Sequence, residues 1–178
     1  MTVVRFISRV ALTVAAALPP VFVPLRPAAA QIQMWDVGLK VGVEAPTAAV
    51  ERLDGGAVNI ADYYGRQPVV LEFWATWCPL CRKLEPSLQA AREKYAGKVT
   101  FVSVGVPANQ TPEKQKAYVD KQKLTGVFMF DRSSAAMKAF AVPHTSYIVV
   151  IGADRRVAYT GVGAEQDIDA VLAKLGTR

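Results

Sequence analysis

The chain has 178 residues and a formal net charge of +6, from 21 basic and 15 acidic side chains. Residues 1–30 contain three arginines and no acidic residue, so the other 148 residues carry a formal charge of only +3. A balance this modest, without a basic stripe interleaved with aromatic side chains, argues against nucleic-acid binding. A length of 148 residues suits a single domain with a substantial core.

The first 30 residues have the organisation of a secretory signal peptide. Arg5 and Arg9 are basic, an apolar stretch covers residues 10–25, and alanines at 28–30 offer a small-residue cleavage site. The stretch between Arg9 and Arg26 contains three prolines, and it is shorter than the roughly 20 apolar residues of a membrane-spanning helix. We therefore expect 1–30 to be a signal peptide, with an uncleaved membrane tether as the alternative, and 31–178 to form the domain.

Hydrophobic periodicity and turn residues divide the rest of the chain into alternating strands and helices. In order, they predict a strand over 50–53, a helical turn over 60–64, a strand over 69–74, a helix after Cys78, a strand over 99–106, a helix from 112 to about 123, a strand over 127–130, a short helix carrying Met137 and Phe140, strands over 145–151 and 156–160 joined as a hairpin, and a last helix stopping at Gly176. Thr111 is expected to cap the second long helix, and Asp131 or Ser133 the short one.

The strand over 69–74 and the helix after it predict the centre of the fold. The strand is apolar except for Glu72, as expected of a strand covered on both faces. Positions 80, 84, 88, 91 and 95 form one apolar helix face, and Pro86 is expected to kink the helix. Because another buried strand follows, we expect a right-handed parallel crossover. The pattern predicts an α/β sandwich with a mixed central β-sheet and no second domain.

Cys78 and Cys81 are the only cysteines, and two residues separate them at the junction of strand and helix. Free N–H groups at a helix start favour a thiolate, so we expect Cys78 to attack disulfides and the more buried Cys81 to resolve the mixed disulfide. A purely structural disulfide is disfavoured because so short a loop adds little chain-entropy stabilisation. A zinc site would need two further ligands, and the chain has one histidine.

Glu72 interrupts the apolar strand six residues before Cys78. A buried charge is costly unless it is paired or neutralised, which suggests a chemical use. Strand alternation places positions 72, 74 and 76 on one face, so we expect Glu72 to lie under the disulfide and to accept the proton of Cys81, directly or through water. The alternative is a glutamate at a sheet edge or facing solvent.

Trp77 and the segment Val142–Thr145 are further candidates for the site. Trp77 directly precedes the first cysteine and is expected to form part of a contact surface, with ordinary packing as the alternative. Pro143 opens a predicted strand, a position that tolerates proline, and a cis peptide bond there is compatible with the sequence. For His144 three interpretations stand: it tunes Cys78, it binds copper together with the two thiolates, or it is a loop residue without an essential role.

The segment Phe73-Trp-Ala-Thr-Trp-Cys-Pro-Leu-Cys-Arg-Lys83 resembles the active-site signature of exported thioredoxin-like proteins of the TlpA/ResA/DsbE type, within the redoxin group. The similarity extends from about Val41 to Leu175. It implies a thioredoxin fold, a three-layer sandwich with a central mixed sheet flanked by helices. It also makes Pro143 the counterpart of the family's cis-proline, which faces the disulfide and positions the substrate. We therefore expect substrate to contact Trp77, Pro79, Val142 and Pro143.

The resemblance further implies thiol–disulfide oxidoreductase activity in the periplasm or another extracytoplasmic compartment, with the Cys78–Cys81 disulfide in place of a cofactor or metal. The implied partners are disulfide-containing exported proteins and a membrane electron donor. The implied cellular roles are redox homeostasis and antioxidant activity. Some members serve cytochrome c maturation. These often carry an acid three residues after the second cysteine, where this chain has Leu84 beside Glu85, which weakens the expectation of that role.

The chain departs from the family pattern at two more positions, and other functions stay open. Glu72 stands where members commonly have asparagine, and His144 follows the proline where they often have threonine. A disulfide oxidant or isomerase would use the same two sulfurs. A copper carrier would use Cys78, Cys81 and His144. A thiol peroxidase of the related peroxiredoxin class would not require the paired cysteines.

Overall fold

The computed structural model describes residues 38–176, so the predicted signal peptide lies outside the described residues. The elements are, in order, β1 (Ala49–Arg52), β2 (Ala57–Asn59), a 3-10 helix (Ile60–Tyr63), β3 (Val69–Trp74), α1 (Pro79–Lys94), β4 (Thr100–Gly105), α2 (Pro112–Gln122), β5 (Val127–Phe130), α3 (Ala135–Ala139), β6 (Tyr147–Ile151), β7 (Val157–Val162) and α4 (Ile168–Lys174). No helix in this part of the chain is long and apolar enough to cross a membrane.

The strands of residues 38–176 form one mixed sheet in the order β2-β1-β5-β4-β3-β6-β7. Strand β3 lies inside the sheet, parallel to β4 and antiparallel to β6. β4 is also parallel to β5, and β6 forms an antiparallel hairpin with β7. The predicted parallel connection through α1 and the predicted hairpin are both confirmed.

Helices cover both faces of the sheet and bury two apolar clusters. One cluster lies beneath α1 and α4 and includes Val70, Leu84, Leu88, Ile148 and Leu172. The other includes residues of the 3-10 helix and α3, and contains Ile60, Leu71, Phe73, Phe140 and Tyr147. These three layers confirm the predicted α/β thioredoxin sandwich, and they place the carboxyl end of β3 directly before the start of α1.

Two expectations about the helices need correction. Leu80, predicted on the apolar face of α1, is 44% exposed because it lies in the first turn, beside the exposed Trp77. The N-cap of α3 is Ser134, whose backbone is left-handed at φ 59° and whose side chain makes no capping bond. Asp131 still contributes, since its Oδ2 accepts the backbone N–H of Met137 at 2.8 Å. The predicted cap at Thr111 is confirmed, with its side chain accepting from Lys114 N.

Strand β2 has no counterpart among the predicted elements. It is only three residues long and pairs with β1 at the edge of the sheet. Asn59, the last residue of β2, caps the 3-10 helix through its side chain. Asp62 completes the capping box because its carboxylate accepts the N–H of Asn59. A three-residue strand that ends in a cap is too short for hydrophobic alternation to reveal it.

Candidate active site at the start of helix α1

The two cysteines lie at the junction of β3 and α1 and form a disulfide with a Cα–Cα distance of 5.3 Å. Cys78 is the N-cap residue of α1 and Pro79 is the first helical residue. The Sγ of Cys78 accepts the backbone N–H of Cys81 at 3.0 Å. A sulfur in this position receives both a hydrogen bond and the favourable end of the helix dipole, which stabilise a thiolate once the disulfide is reduced.

Burial does not separate the two sulfurs in the way the sequence predicted. Cys78 is 2% exposed and Cys81 is 4% exposed, so Cys81 is not the more buried residue. The disulfide holds Cys78 Sγ over the first turn of the helix, and both cysteines belong to the same buried apolar cluster. The distinction between attacking and resolving sulfur therefore depends on the cap position of Cys78.

The turn before Cys78 is held by a buried glutamine that no sequence pattern indicated. Gln110 Oε1 accepts the backbone N–H of Thr76 at 3.0 Å and its hydroxyl at 3.1 Å. Gln110 Nε2 donates to the carbonyl of Val106 at 2.6 Å. Trp77 Nε1 donates to the carbonyl of Ala108 at 2.7 Å. The loop after β4 thus fixes the two residues that precede the first sulfur. In the sequence, Gln110 is one polar residue in a loop and carries no distinguishing signal.

The predicted substrate-contacting residues differ in exposure. Trp77 is 43% exposed, Pro79 is also exposed, and Leu80 adds an apolar side chain beside them. Val142 and Pro143 are half-buried, and Val142 packs against the apolar cluster that contains both cysteines. Exposed apolar side chains next to a buried disulfide form a surface suited to a polypeptide partner.

The peptide bond before Pro143 is trans, which corrects the expected cis-proline, since residues 38–176 contain no cis peptide bond. The chain turns into β6 through left-handed backbone at Ala141 (φ 47°) and Ser146 (φ 64°) instead. Ser146 is anchored to the central strand because its N–H donates to the carbonyl of Phe73 at 2.8 Å. His144 is exposed in the loop between these two residues.

Glu72 is buried, with 3% exposure, which rules out the alternative of a glutamate at an edge or facing solvent. Its Oε2 accepts a hydrogen bond from Ser103 Oγ at 3.1 Å, while Oε1 has no hydrogen-bond partner among the described residues. Strand β3 ends at Trp74, so the expected alternation through position 76 does not hold, and Thr76 lies in the turn.

Helix α1 brings two charged side chains to Glu72. Arg92 Nη2 donates to Ser103 Oγ at 3.2 Å, and Arg92 Nη1 donates to the carboxylate of Glu85. Burial is the main reason why the pKa of Glu72 is raised to about 7, and the charge of Glu85 raises it further. Arg92 and the hydrogen bond from Ser103 act in the opposite direction. A carboxyl group with this pKa exchanges its proton near neutral pH.

No three His, Cys, Asp or Glu side chains in residues 38–176 come close enough together to hold a metal ion. Cys78, Cys81 and His144 are therefore not assembled into the copper site considered from the sequence.

The comparisons with known proteins agree with this geometry. Residues 40–175 match the family model described as Redoxin. The chain belongs to the Redoxin family. It is 32% identical over 117 residues to the thioredoxin-like protein YneN of Bacillus subtilis (strain 168), covering 64% of this chain and 68% of YneN. It is 26% identical over 139 residues to the thiol-disulfide oxidoreductase ResA of Bacillus thuringiensis subsp. konkukian (strain 97-27), covering 77% of this chain and 79% of ResA.

Solved structures confirm the fold. The thioredoxin domain of a thiol-disulfide oxidoreductase from Bacteroides vulgatus aligns with a TM-score of 0.66 at 18% identity, over 77% of this chain and 99% of that domain. StoA from Bacillus subtilis aligns with a TM-score of 0.60 at 20% identity, over 73% of this chain and 97% of StoA. The resemblance stated from residues 73–83 is confirmed, and this Redoxin family member is a thiol–disulfide oxidoreductase of the thioredoxin fold.

Proposed function

We propose that this protein is an exported disulfide reductase that acts on other exported proteins and receives its electrons from a membrane donor. The observation that carries the chemistry is Cys78 Sγ at the N-cap of α1, where it accepts the N–H of Cys81. Export is supported by the basic, apolar and small-residue segments of residues 1–30.

The reaction runs through a mixed disulfide. The Cys78 thiolate attacks one sulfur of a substrate disulfide, forms a bond to it and expels the other substrate sulfur as a thiolate. Cys81, as thiolate, then attacks Cys78 Sγ, which forms the Cys78–Cys81 disulfide and releases the second substrate sulfur. Two electrons pass from the protein to the substrate, whose sulfurs leave as thiolates and take up two protons.

Glu72 is the proposed acceptor of the Cys81 proton in the second step. Three features of the site support this role. The carboxyl is buried under the helix that carries Cys81, its Oε1 has no partner among residues 38–176, and its pKa is raised to about 7 by burial. A base whose pKa lies near the working pH balances proton affinity against the fraction present in the ionised form.

The substrate polypeptide is proposed to lie over Trp77, Pro79 and Leu80 on one side and Val142 and Pro143 on the other. The exposure of the first three supports this contact. The hydrogen bond from Trp77 to Ala108 keeps the indole in a fixed orientation, so little side-chain entropy is lost when substrate binds.

The reduction potential of the Cys78–Cys81 pair tests the direction of electron flow. The purified protein is equilibrated against thiol buffers of known potential, and Cys78→Ser is the control that cannot form the disulfide. A value near or below about −250 mV supports an electron donor, whereas a value near about −120 mV marks an oxidant and overturns the reductase proposal.

A further inference from the structure

The cluster beneath α1 contains two carboxylates that share one cation. Arg92 directs Nη1 to Glu85 and Nη2 to Ser103, and the hydroxyl of Ser103 stands between the guanidinium and Glu72. Glu72 and Arg92 are therefore separated by a hydroxyl group, although they lie in the same buried cluster. The carboxylate that Arg92 contacts directly is that of Glu85.

Burial differs along this chain of contacts. The Arg92 side chain is 6% exposed and that of Glu85 is 21% exposed, while Ser103 and Glu72 are buried. Glu85 thus connects the interior cluster to the surface of α1. It lies one helical turn after Cys81, on the same side of the helix.

We propose that Glu85 is a positioning residue for disulfide exchange: by binding Arg92 it keeps the guanidinium off Glu72, which leaves Glu72 free to take the proton of Cys81. The proposal rests on the proposed role of Glu72 and adds the residue that makes that role workable. Without Glu85, the buried cation has Glu72 as its remaining carboxylate partner in the cluster. A carboxylate tied to a guanidinium is a weaker base, because proton uptake then leaves the cation unpaired.

The groups that face Glu72 come from two elements. Strand β4 contributes Ser103, and helix α1 contributes Glu85 and Arg92. On its other side β3 pairs with β6, where the residue opposite Glu72 is the apolar Ile148. Burial raises the pKa of Glu85 as well, and Arg92 opposes that shift, so the two carboxyl groups compete for the same cation.

The test is the pH dependence of the second exchange step. Reduced full-length protein is mixed with excess 5,5′-dithiobis(2-nitrobenzoate), and the release of thionitrobenzoate is followed in two phases. The first phase, attack by Cys78, depends on the reagent concentration. The second phase, attack by Cys81 on the mixed disulfide, does not. Glu93→Gln is the matched control, since it makes the same change at an exposed position of α1.

We expect Glu85→Gln to move the apparent midpoint of the second phase to lower pH by about half a unit or more, and to lower the rate on the plateau above that midpoint because Glu72 is then a weaker base. Arg92→Met removes the cation and should move the midpoint in the opposite direction. Glu93→Gln should match the wild type. In a Glu72→Gln background, Glu85→Gln should have no further effect on the midpoint, because the base on which it acts is gone.

The outcomes separate the two proposals. If Glu72→Gln slows the second phase but Glu85→Gln leaves its rate and midpoint unchanged, Glu72 is the base and the positioning role of Glu85 is wrong. If Glu85→Gln slows the second phase equally with and without Glu72, its effect is structural and the inference fails. If Glu72→Gln itself leaves the second phase unchanged, the proposed role of Glu72 fails first. Circular dichroism shows whether each variant is folded. If Arg92→Met does not fold, the comparison of Glu72→Gln, Glu85→Gln and the double variant decides the test.

Discussion

The two faces of strand β3 are equally buried but differ in chemistry. On one face, Val69, Leu71 and Phe73 are completely buried, and the ring of Phe73 lies 5.4 Å from that of Phe140. On the other face, Glu72 lies between Val70 and Trp74, beneath the helix that carries the cysteines. Apolar burial stabilises a fold, whereas a buried carboxyl group destabilises it unless it is neutralised or paired. The first face of β3 therefore stabilises the fold, whereas the second face lowers its stability because it buries a titratable group.

The largest effect is expected from the apolar face. Phe73→Ala removes an aromatic side chain from a closely packed cluster and should lower the free energy of unfolding by about 3–5 kcal/mol. Chemical denaturation of the oxidised protein measures this loss. A loss of less than about 1 kcal/mol would mean that this face does not dominate stability.

The next effect comes from Glu72 and depends on pH. Its pKa in the folded protein is raised to about 7 from 4.5, so between these values the folded state holds more protons than the unfolded state. The free energy of unfolding therefore falls as pH rises through this window. Glu72→Gln removes this decline, and the variant should gain up to about 3 kcal/mol relative to wild type between about pH 4 and about pH 8.

Denaturation of the oxidised wild type and Glu72→Gln at several pH values measures this gain. Phe73→Ala is the control on the other face, and its loss of stability should be the same at each pH because no titratable group is removed. A difference between Glu72→Gln and wild type that does not change with pH would contradict a buried, near-neutral carboxyl group.

The features that the sequence predicted are those set by neighbouring residues. The apolar run of β3, the cap at Thr111 and the cysteine pair at a helix start each depend on a few consecutive positions. The missed features depend on long-range contacts. Ser103 is 31 positions from Glu72, and Gln110 is 34 positions from Thr76. Glu72 stands out in the sequence because a charged residue in an apolar strand is costly to bury. The identity of its partners follows only from how α1 and β4 pack.

The same distinction explains the corrections at Pro143 and Leu80. A resemblance predicts the cis bond from the residue type, whereas the backbone here turns through Ala141 and Ser146. Periodicity assigned Leu80 to the apolar face, but Leu80 lies in the first turn of α1 and is exposed, as is Trp77. Local patterns give the direction of a side chain, and the surrounding structure decides whether it is covered.

The smallest expected effect belongs to a neutral polar contact in the turn that follows β3. Thr76→Val removes the hydroxyl that donates to Gln110 Oε1 at 3.1 Å but keeps the backbone N–H that donates to the same oxygen. The loss of one neutral hydrogen bond at a half-buried site should lower the free energy of unfolding by about 1 kcal/mol. Because neither the hydroxyl nor the amide titrates, this loss should be the same at every pH at which Glu72→Gln is compared with wild type. If the Thr76→Val loss followed the pH profile of Glu72, the two contacts would form one network, and pH sensitivity would extend to the turn that carries Cys78. Equal Thr76→Val losses at all pH values would mean that the pH sensitivity of stability is limited to the carboxyl group of Glu72 beneath α1.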